Sequence, residues 1–254
     1  MKFSANLGFL WKELSLPKAI TAAASAGFHA VECHWPYNFH PNELNKALSN
    51  SNIKMLSINT QRGNIKKGDN GLLAVPGREK EAIKYIDEAL EYAKNISCKN
   101  VHVMAGRSKN LKQADDVFIK NINYAVDEAS KKNINILIEP LNHFDAPNYY
   151  LSRLDKAVQI IEKVNSPNLK IMFDCYHIQL IQGNLFQSIK KYLYYIGHIQ
   201  IASVPDRNEP DKGEVNFREL LRMIVDIGYD GYFGAEYKPL KTTNDGLRWM
   251  KSIL

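Results

Sequence analysis

The stretch Ile134-Asn135-Ile136-Leu137-Ile138-Glu139-Pro140-Leu141-Asn142 decides the fold. Its first five residues form a nearly continuous apolar run, the pattern of a strand covered on both faces. Working outward, β-rich runs recur at residues 3–7, 30–33, 54–59, 100–105, 170–174, 198–202 and 232–236. With 134–139 they make eight. Helical patterns fill the intervals. Pro17 suits a first helical turn and Gly27 a stop. Residues 79–93 carry Ile83, Ile86, Leu90 and Ala93 at spacings of three and four, a single buried stripe. Residues 113–130, 154–164 and 217–227 repeat that pattern. Eight strand–helix units in 254 residues predict an α/β fold, one (β/α)8 TIM barrel spanning 1–254. An open doubly wound sheet usually carries a Gly-rich phosphate loop after its first strand. Asn6-Leu7-Gly8-Phe9-Leu10 is not one, and no such motif occurs elsewhere, so nucleotide chemistry has no support.

The chain is 45% apolar and 24% charged, the balance of an ordinary globular protein. No apolar stretch is long enough for a spanning helix. The start, with Lys2, Lys12 and Glu13, is too charged for a signal peptide. Cys33, Cys98 and Cys175 are odd in number and form no CxxC pair, which argues against a disulfide framework or structural zinc. A cytoplasmic protein without a membrane partner is the expectation. The net charge of +6 is spread among acids, as in Gly77-Arg78-Glu79-Lys80-Glu81. That fits solvated helix faces and a site for a small anion better than a nucleic-acid surface. A homo-oligomer stays open.

The chemistry gathers where strands end. Strand five ends in Glu139, strand six in Asp174, strand seven near Gln200 and strand eight in Glu236, at intervals of 35, 26 and 36 residues. Four consecutive strands would then each offer an oxygen ligand at one height on the face where barrels keep their active sites. Three carboxylates crowded at a narrow mouth repel one another. A divalent cation relieves that, and an all-oxygen set favours Mg²⁺ or Mn²⁺. His177 falls on the first turn after Asp174 and would look back over the metal as a substrate or metal-shell residue. Arg207, in Pro205-Asp206-Arg207, would pair with a substrate carboxylate. His34 and Trp35 would wall the pocket. His102 is expected to be a satisfied core histidine, and Cys175 to be packing. The long connections 60–78 and 203–216 follow strand ends and are expected to form a lid or rim.

Motifs along the whole chain resemble the hydroxypyruvate isomerase family of xylose-isomerase-like barrels. They include Pro76-Gly77-Arg78-Glu79, Ile138-Glu139-Pro140-Leu141-Asn142-His143-Phe144-Asp145, Asp174-Cys175-Tyr176-His177, Gly213-Glu214-Val215-Asn216 and Glu236-Tyr237-Lys238-Pro239. The resemblance implies Glu139, Asp174, Gln200 and Glu236 as metal ligands, Glu139 and Glu236 doubling as the proton-transfer pair. It implies His177 and Arg207 as contacts to a small anionic sugar acid, and isomerisation of hydroxypyruvate to tartronate semialdehyde through an enediolate. Asn59-Thr60-Gln61-Arg62-Gly63-Asn64 departs from the family's usual stretch there, which contains Pro and ends in Gly-Asp. Val101-His102-Val103-Met104-Ala105-Gly106 looks closer to the sister 2-oxo-tetronate isomerases. A nuclease of the endonuclease-IV type, which needs a His-rich multi-zinc site, and a sugar-acid binding protein are the remote alternatives.

Overall fold

The computed structural model describes residues 1–108 and 111–253. Every strand pairing is parallel, and the sheet runs from the first half of strand three through strands two, one, eight, seven, six, five and four to the second half of strand three. The strands are Lys2–Asn6, Ala30–Glu32, a split third strand of Lys54–Met55 and Ser57–Asn59, Asn100–His102, Asn135–Ile138, Leu169–Asp174, Ile196–Ile201 and Tyr232–Ala235. The third strand was expected to be continuous. It breaks at Leu56, whose carbonyl accepts from the Asn100 side chain at 2.7 Å in place of a ladder bond. Its first half pairs with strand two and its second with strand four, so the split strand carries the sheet across the closure.

Strand four is shorter than the expected 100–105 because side chains take over its ladder. Met104 N–H donates to Thr60 Oγ1 at 3.0 Å and Ala105 N–H to the Tyr149 hydroxyl at 2.8 Å. Gly106 then turns at φ 91°, its Cα against the Gly71 carbonyl, where a Cβ would sit 2.2 Å from that oxygen. Helices wrap the outside on apolar faces. Leu154–Val164 buries Leu154, Ala157, Val158, Ile160 and Ile161, and Phe217–Asp226 buries Phe217, Leu220, Leu221 and Ile224. Among the described residues no helix is long and apolar enough to cross a membrane. The three cysteines are buried and unpaired. Burial pushes the Cys175 thiol well up, as suits packing.

Strand parity sorts the two faces. On strands one and eight Phe3 and Phe233 face the helix layer and each other, 6.2 Å between ring centroids. Their neighbours turn inward, and on one side of the barrel the interior is polar. Glu32 accepts from Ser4 Oγ at 2.9 Å and Gln200 Nε2 at 2.8 Å, with His198 Nε2 at 3.2 Å. Gly234 makes room for this cluster, since a Cβ there would lie 2.2 Å from Glu32 Oε1.

Candidate active site

Glu139 and Glu236 each stand one residue past a strand, Asp174 ends strand six, and Gln200 lies within strand seven. The ladder sets Asp174 opposite Gln200 and Gln200 opposite Gly234, so Glu236 is two residues further along than that level. Gln200 is thus the deep member of the set. Its amide nitrogen is held by Glu32, and its Oε1 is buried without a partner.

The carboxylates are buried and unequal. Glu139 is 6% exposed and its Oε1 has no hydrogen-bond partner. Burial, then the charges of Glu236 and Asp174, raise its pKa well above the carboxylate range. Burial likewise lifts Asp174 to about 7 against the pull of Arg207. Glu236 goes the other way. Burial opposes its charge, but Arg207 and the hydrogen bond from His34 prevail and hold it near 2. Its Oε1 receives Asn6 Nδ2 at 2.9 Å and lies 2.7 Å from His34 Nε2, and its Oε2 receives Arg207 Nη2 at 2.8 Å.

Arg207 bridges the site. The same Nη2 reaches Asp174 Oδ2 at 3.0 Å, and Nη1 lies 3.5 Å from Asp145. The guanidinium sits between the rings of Phe9 and Tyr176, 4.8 and 4.7 Å from their centroids. Its backbone takes the left-handed φ of 57°, an uncommon conformation for a long side chain, kept by Arg207 N–H to Ser203 and Lys238 N–H to Arg207.

His177 lies in the helix Cys175–Ile181 that leaves strand six, where Asp174 caps the Tyr176 N–H at 2.9 Å. Burial and Arg207 drive its pKa well down, so the ring is neutral. Its Nδ1 accepts the Asn142 backbone N–H at 3.1 Å, which leaves the proton on Nε2. That N–H faces Asp174 Oδ2 at 3.6 Å and Glu139 Oε1 at 4.0 Å. Of the expected ligands, Glu139 and Asp174 come together beside His177, the three ligand atoms within 4.8 Å of one another; with Nε2 protonated, His177 faces the pair as a donor, and the two carboxylates are the groups able to hold a cation. Glu236 is linked to Asp174 through Arg207. The two unpartnered oxygens, on Glu139 and Gln200, and the crowded carboxylates suit a hard divalent cation.

A cavity of about 170 Å³ opens over this floor. Glu139, Asp145, His177, Arg207 and Glu236 line it together with His34, Trp35, Asn59, Arg62, Asn70, His102 and Met104. Both long connections reach it, through Arg62 and Asn70 and through Arg207. His102 corrects one expectation. It is 1% exposed, yet neither ring nitrogen has a hydrogen-bond partner; Nδ1 stands 3.5 Å from Glu139 Oε2. Burial lowers it to about 4, so it is a neutral wall residue of the site and not a satisfied core histidine. Asn6, Glu32 and Asn142 were missed. Asn6 and Glu32 close their strands as Asp174 does, so the strand-end rule applied to the first half of the chain would have found both.

Residues 20–253 match the family model described as the xylose isomerase-like TIM barrel. The hydroxypyruvate isomerase of Escherichia coli is 36% identical over 98% of this chain and 98% of its own. The 2-oxo-tetronate isomerase of Cupriavidus necator is 38% identical over 100% and 98%. A crystal structure titled AP endonuclease, family 2, from Brucella melitensis superposes with a TM-score of 0.96 at 36% identity, covering 99% of this chain and 98% of that one. With its parallel barrel and its carboxylates at the strand ends, the chain belongs to the xylose-isomerase-like TIM-barrel family, among the isomerases related to hydroxypyruvate isomerase and 2-oxo-tetronate isomerase.

Proposed function

We propose that this enzyme isomerises hydroxypyruvate to tartronate semialdehyde with a divalent cation, Mg²⁺ or Mn²⁺. The observation that carries the reading is the pair Glu139 and Glu236, from strands five and eight, lining one small cavity with Arg207 and His177 between them. The reaction moves a proton from C3 to C2 of a 2-oxo acid through an enediolate. Two carboxyl groups are what such a transfer needs, one to take a proton from carbon and one to return it. Glu139, Asp174, Gln200 and Glu236 would hold the cation. When bound, it supplies stabilisation of negative charge on adjacent substrate oxygens.

The chain's own groups do the rest. Arg207 and His34 keep Glu236 ionised. The neutral His177 directs its Nε2–H into the site, as a donor to a substrate oxygen. Arg207 contacts the substrate as well as the two carboxylates. His102, neutral and without a hydrogen-bond partner, stands 3.5 Å from Glu139 Oε2 and would face the same substrate. The aromatic rings of Phe9, Trp35 and Tyr176 keep water from the reacting carbons.

A second reading has its own support. Relatives 38–39% identical over nearly the whole chain are named 2-oxo-tetronate isomerase, so a four-carbon 2-oxo acid is the rival substrate. Side-by-side assays of the Mg²⁺- or Mn²⁺-loaded protein on hydroxypyruvate and on 2-oxo-tetronates test the assignment. A higher kcat/KM for hydroxypyruvate is expected. Turnover of the four-carbon acids alone would move the assignment to the sister activity, and turnover of neither would end it.

A further inference from the structure

The same cavity is lined by a cation that the reading above leaves idle. Arg62 lies on the connection after strand three, in the stretch whose sequence departs from the family's usual one. Its guanidinium stacks on Trp35, 5.0 Å from the ring centroid, and its Nε donates to Asn70 Oδ1 at 2.9 Å. Among the described residues no carboxylate lies within ion-pair distance, and the two Nη groups make no hydrogen bond. Half-buried against the cavity, its pKa is pulled down by burial and by the nearby Arg107, as expected of a cation without a counter-ion.

Arg207 differs on each point. Its charge is shared among Asp174, Glu236 and Asp145. Drawing it onto a substrate carboxylate would strip those groups of their partner. Arg62 costs nothing of the kind, and its fork is free for two parallel bonds to a carboxylate. The loop that carries it is built to stay put. Gly71 N–H donates to the Arg62 carbonyl at 2.9 Å. Gly71, at φ 99°, presses on the Met104 carbonyl, where a Cβ would come within 2.3 Å. Asp69 ties the loop across, accepting from Asn64 N–H at 2.7 Å and Arg78 Nη1 at 2.8 Å. Leu73 and Ala74 N–H groups then dock on the carbonyls of Met104 and Ala105.

We propose that Arg62, stacked on Trp35 and anchored by Asn70, receives the carboxylate of the substrate and sets the preference for acids over neutral keto sugars. The inference rests on the 2-oxo-acid reading for its substrate, and on the geometry alone for its anion site. Binding of D-glycerate, which cannot isomerise, is measured calorimetrically on the full, Mn²⁺-loaded chain, with glycerol as the neutral control. Steady-state assays compare hydroxypyruvate with dihydroxyacetone, which has a hydroxymethyl group in place of the carboxylate.

Arg62→Gln is expected to weaken glycerate binding and raise the KM for hydroxypyruvate by about 10- to 100-fold, the scale of losing a charged hydrogen-bond partner. The kcat should move much less, and any dihydroxyacetone turnover should be unchanged. Arg62→Lys should recover part of the loss, and Asn70→Ala, which keeps the charge but frees the side chain, should lose less than Arg62→Gln. Thermal melts check that each variant is folded. Glycerate affinity and hydroxypyruvate KM within twofold of the wild type in folded Arg62→Gln would overturn the proposal, as would a wild type that does not bind glycerate. A wild type that turns over no 2-oxo acid, with glycerate binding that still depends on Arg62, would end the activity assigned above and leave the anion site standing.

Discussion

The two halves of the barrel mouth are built on opposite principles. Strands five to eight bring buried carboxylates together and join two of them through one arginine. The rim over strands two to four brings an arginine with no counter-ion among the described residues, a tryptophan and a neutral histidine without a hydrogen-bond partner. On the reading proposed above, the first half holds a cation and moves protons. The second is a wall that holds whatever is bound there. The contrast teaches that charge at a barrel mouth is informative only with its partner: Arg207 and Arg62 line one cavity, yet only one is neutralised by the protein.

The largest effect should come from the acidic half. Glu139→Gln and Glu236→Gln keep shape and one oxygen ligand but delete the proton acceptor. Each should lower kcat by about 10²–10⁴-fold, and saturating metal should not restore it. Full activity in either, with metal in excess, would mean that the pair only holds the cation. Arg207→Lys comes next. It keeps the charge but loses the planar contact to two carboxylates, and a KM rise of about tenfold with a smaller fall in kcat is expected. Wild-type kinetics would make Arg207 a bystander.

The polar cluster inside the barrel should be sensitive to a single methyl group. Gly234→Ala would drive a Cβ to 2.2 Å from Glu32 Oε1 and within 3.0 Å of Gln200. A stability loss of about 1–3 kcal/mol, read by denaturant titration, is expected from such overpacking. An unchanged midpoint would show that Glu32 moves aside freely.

The smallest effect is in the pH dependence of the metal-free protein. Asp174, with a folded pKa of about 7, and Glu139, raised well above its ordinary value, both hold protons more tightly folded than unfolded. A raised carboxyl favours the fold below its unfolded pKa, and that advantage is lost as pH rises through the folded value. Glu236, held near 2, has the opposite sign, and its contribution disappears only in strong acid. His102, lowered to about 4, and His177, lowered well below its ordinary value, have the opposite sign over the same interval, since each binds a proton less readily folded than unfolded. The carboxyl contribution is therefore read by difference: from about pH 4 to 7 the Tm of metal-free Asp174→Asn should fall less, or rise more, than that of the wild type. Added Mn²⁺ should raise Tm more at pH 8 than at pH 5, because binding displaces protons. The same pH profile in metal-free Asp174→Asn and wild type, or equal stabilisation by Mn²⁺ at both pH values, would contradict the buried-carboxylate account.

What was legible in the sequence follows the same division. The barrel could be read because buried parallel strands leave apolar runs and the helices between them leave stripes. The acidic set could be read because Glu139, Asp174 and Glu236 close such runs one and then two strand–helix units apart. Their partners were harder. Glu32 and Asn6 also close strands and were open to the same rule, but they lie far from the acidic set in sequence, and it is the register that shows Asn6 opposite Glu32. His102 looked like a core residue because a lone histidine on an apolar strand carries no sign of the void beside it. Arg62 could not be placed at all from its neighbours, since its position depends on a loop folded back onto Met104 by backbone bonds. Loops that chart their own course by glycine turns and side-chain ties leave no periodic trace.

The central claim is that Glu139 and Glu236 move a proton between adjacent carbons of a 2-oxo acid. Isomerisation of hydroxypyruvate in heavy water, with the product examined by NMR before it can exchange, tests it most directly. The account predicts deuterium at C2 of tartronate semialdehyde, in the wild type and in the residual turnover of the Arg62 variants. A product formed at the full rate with protium at C2 would contradict it, pointing to hydrogen passed directly from carbon to carbon.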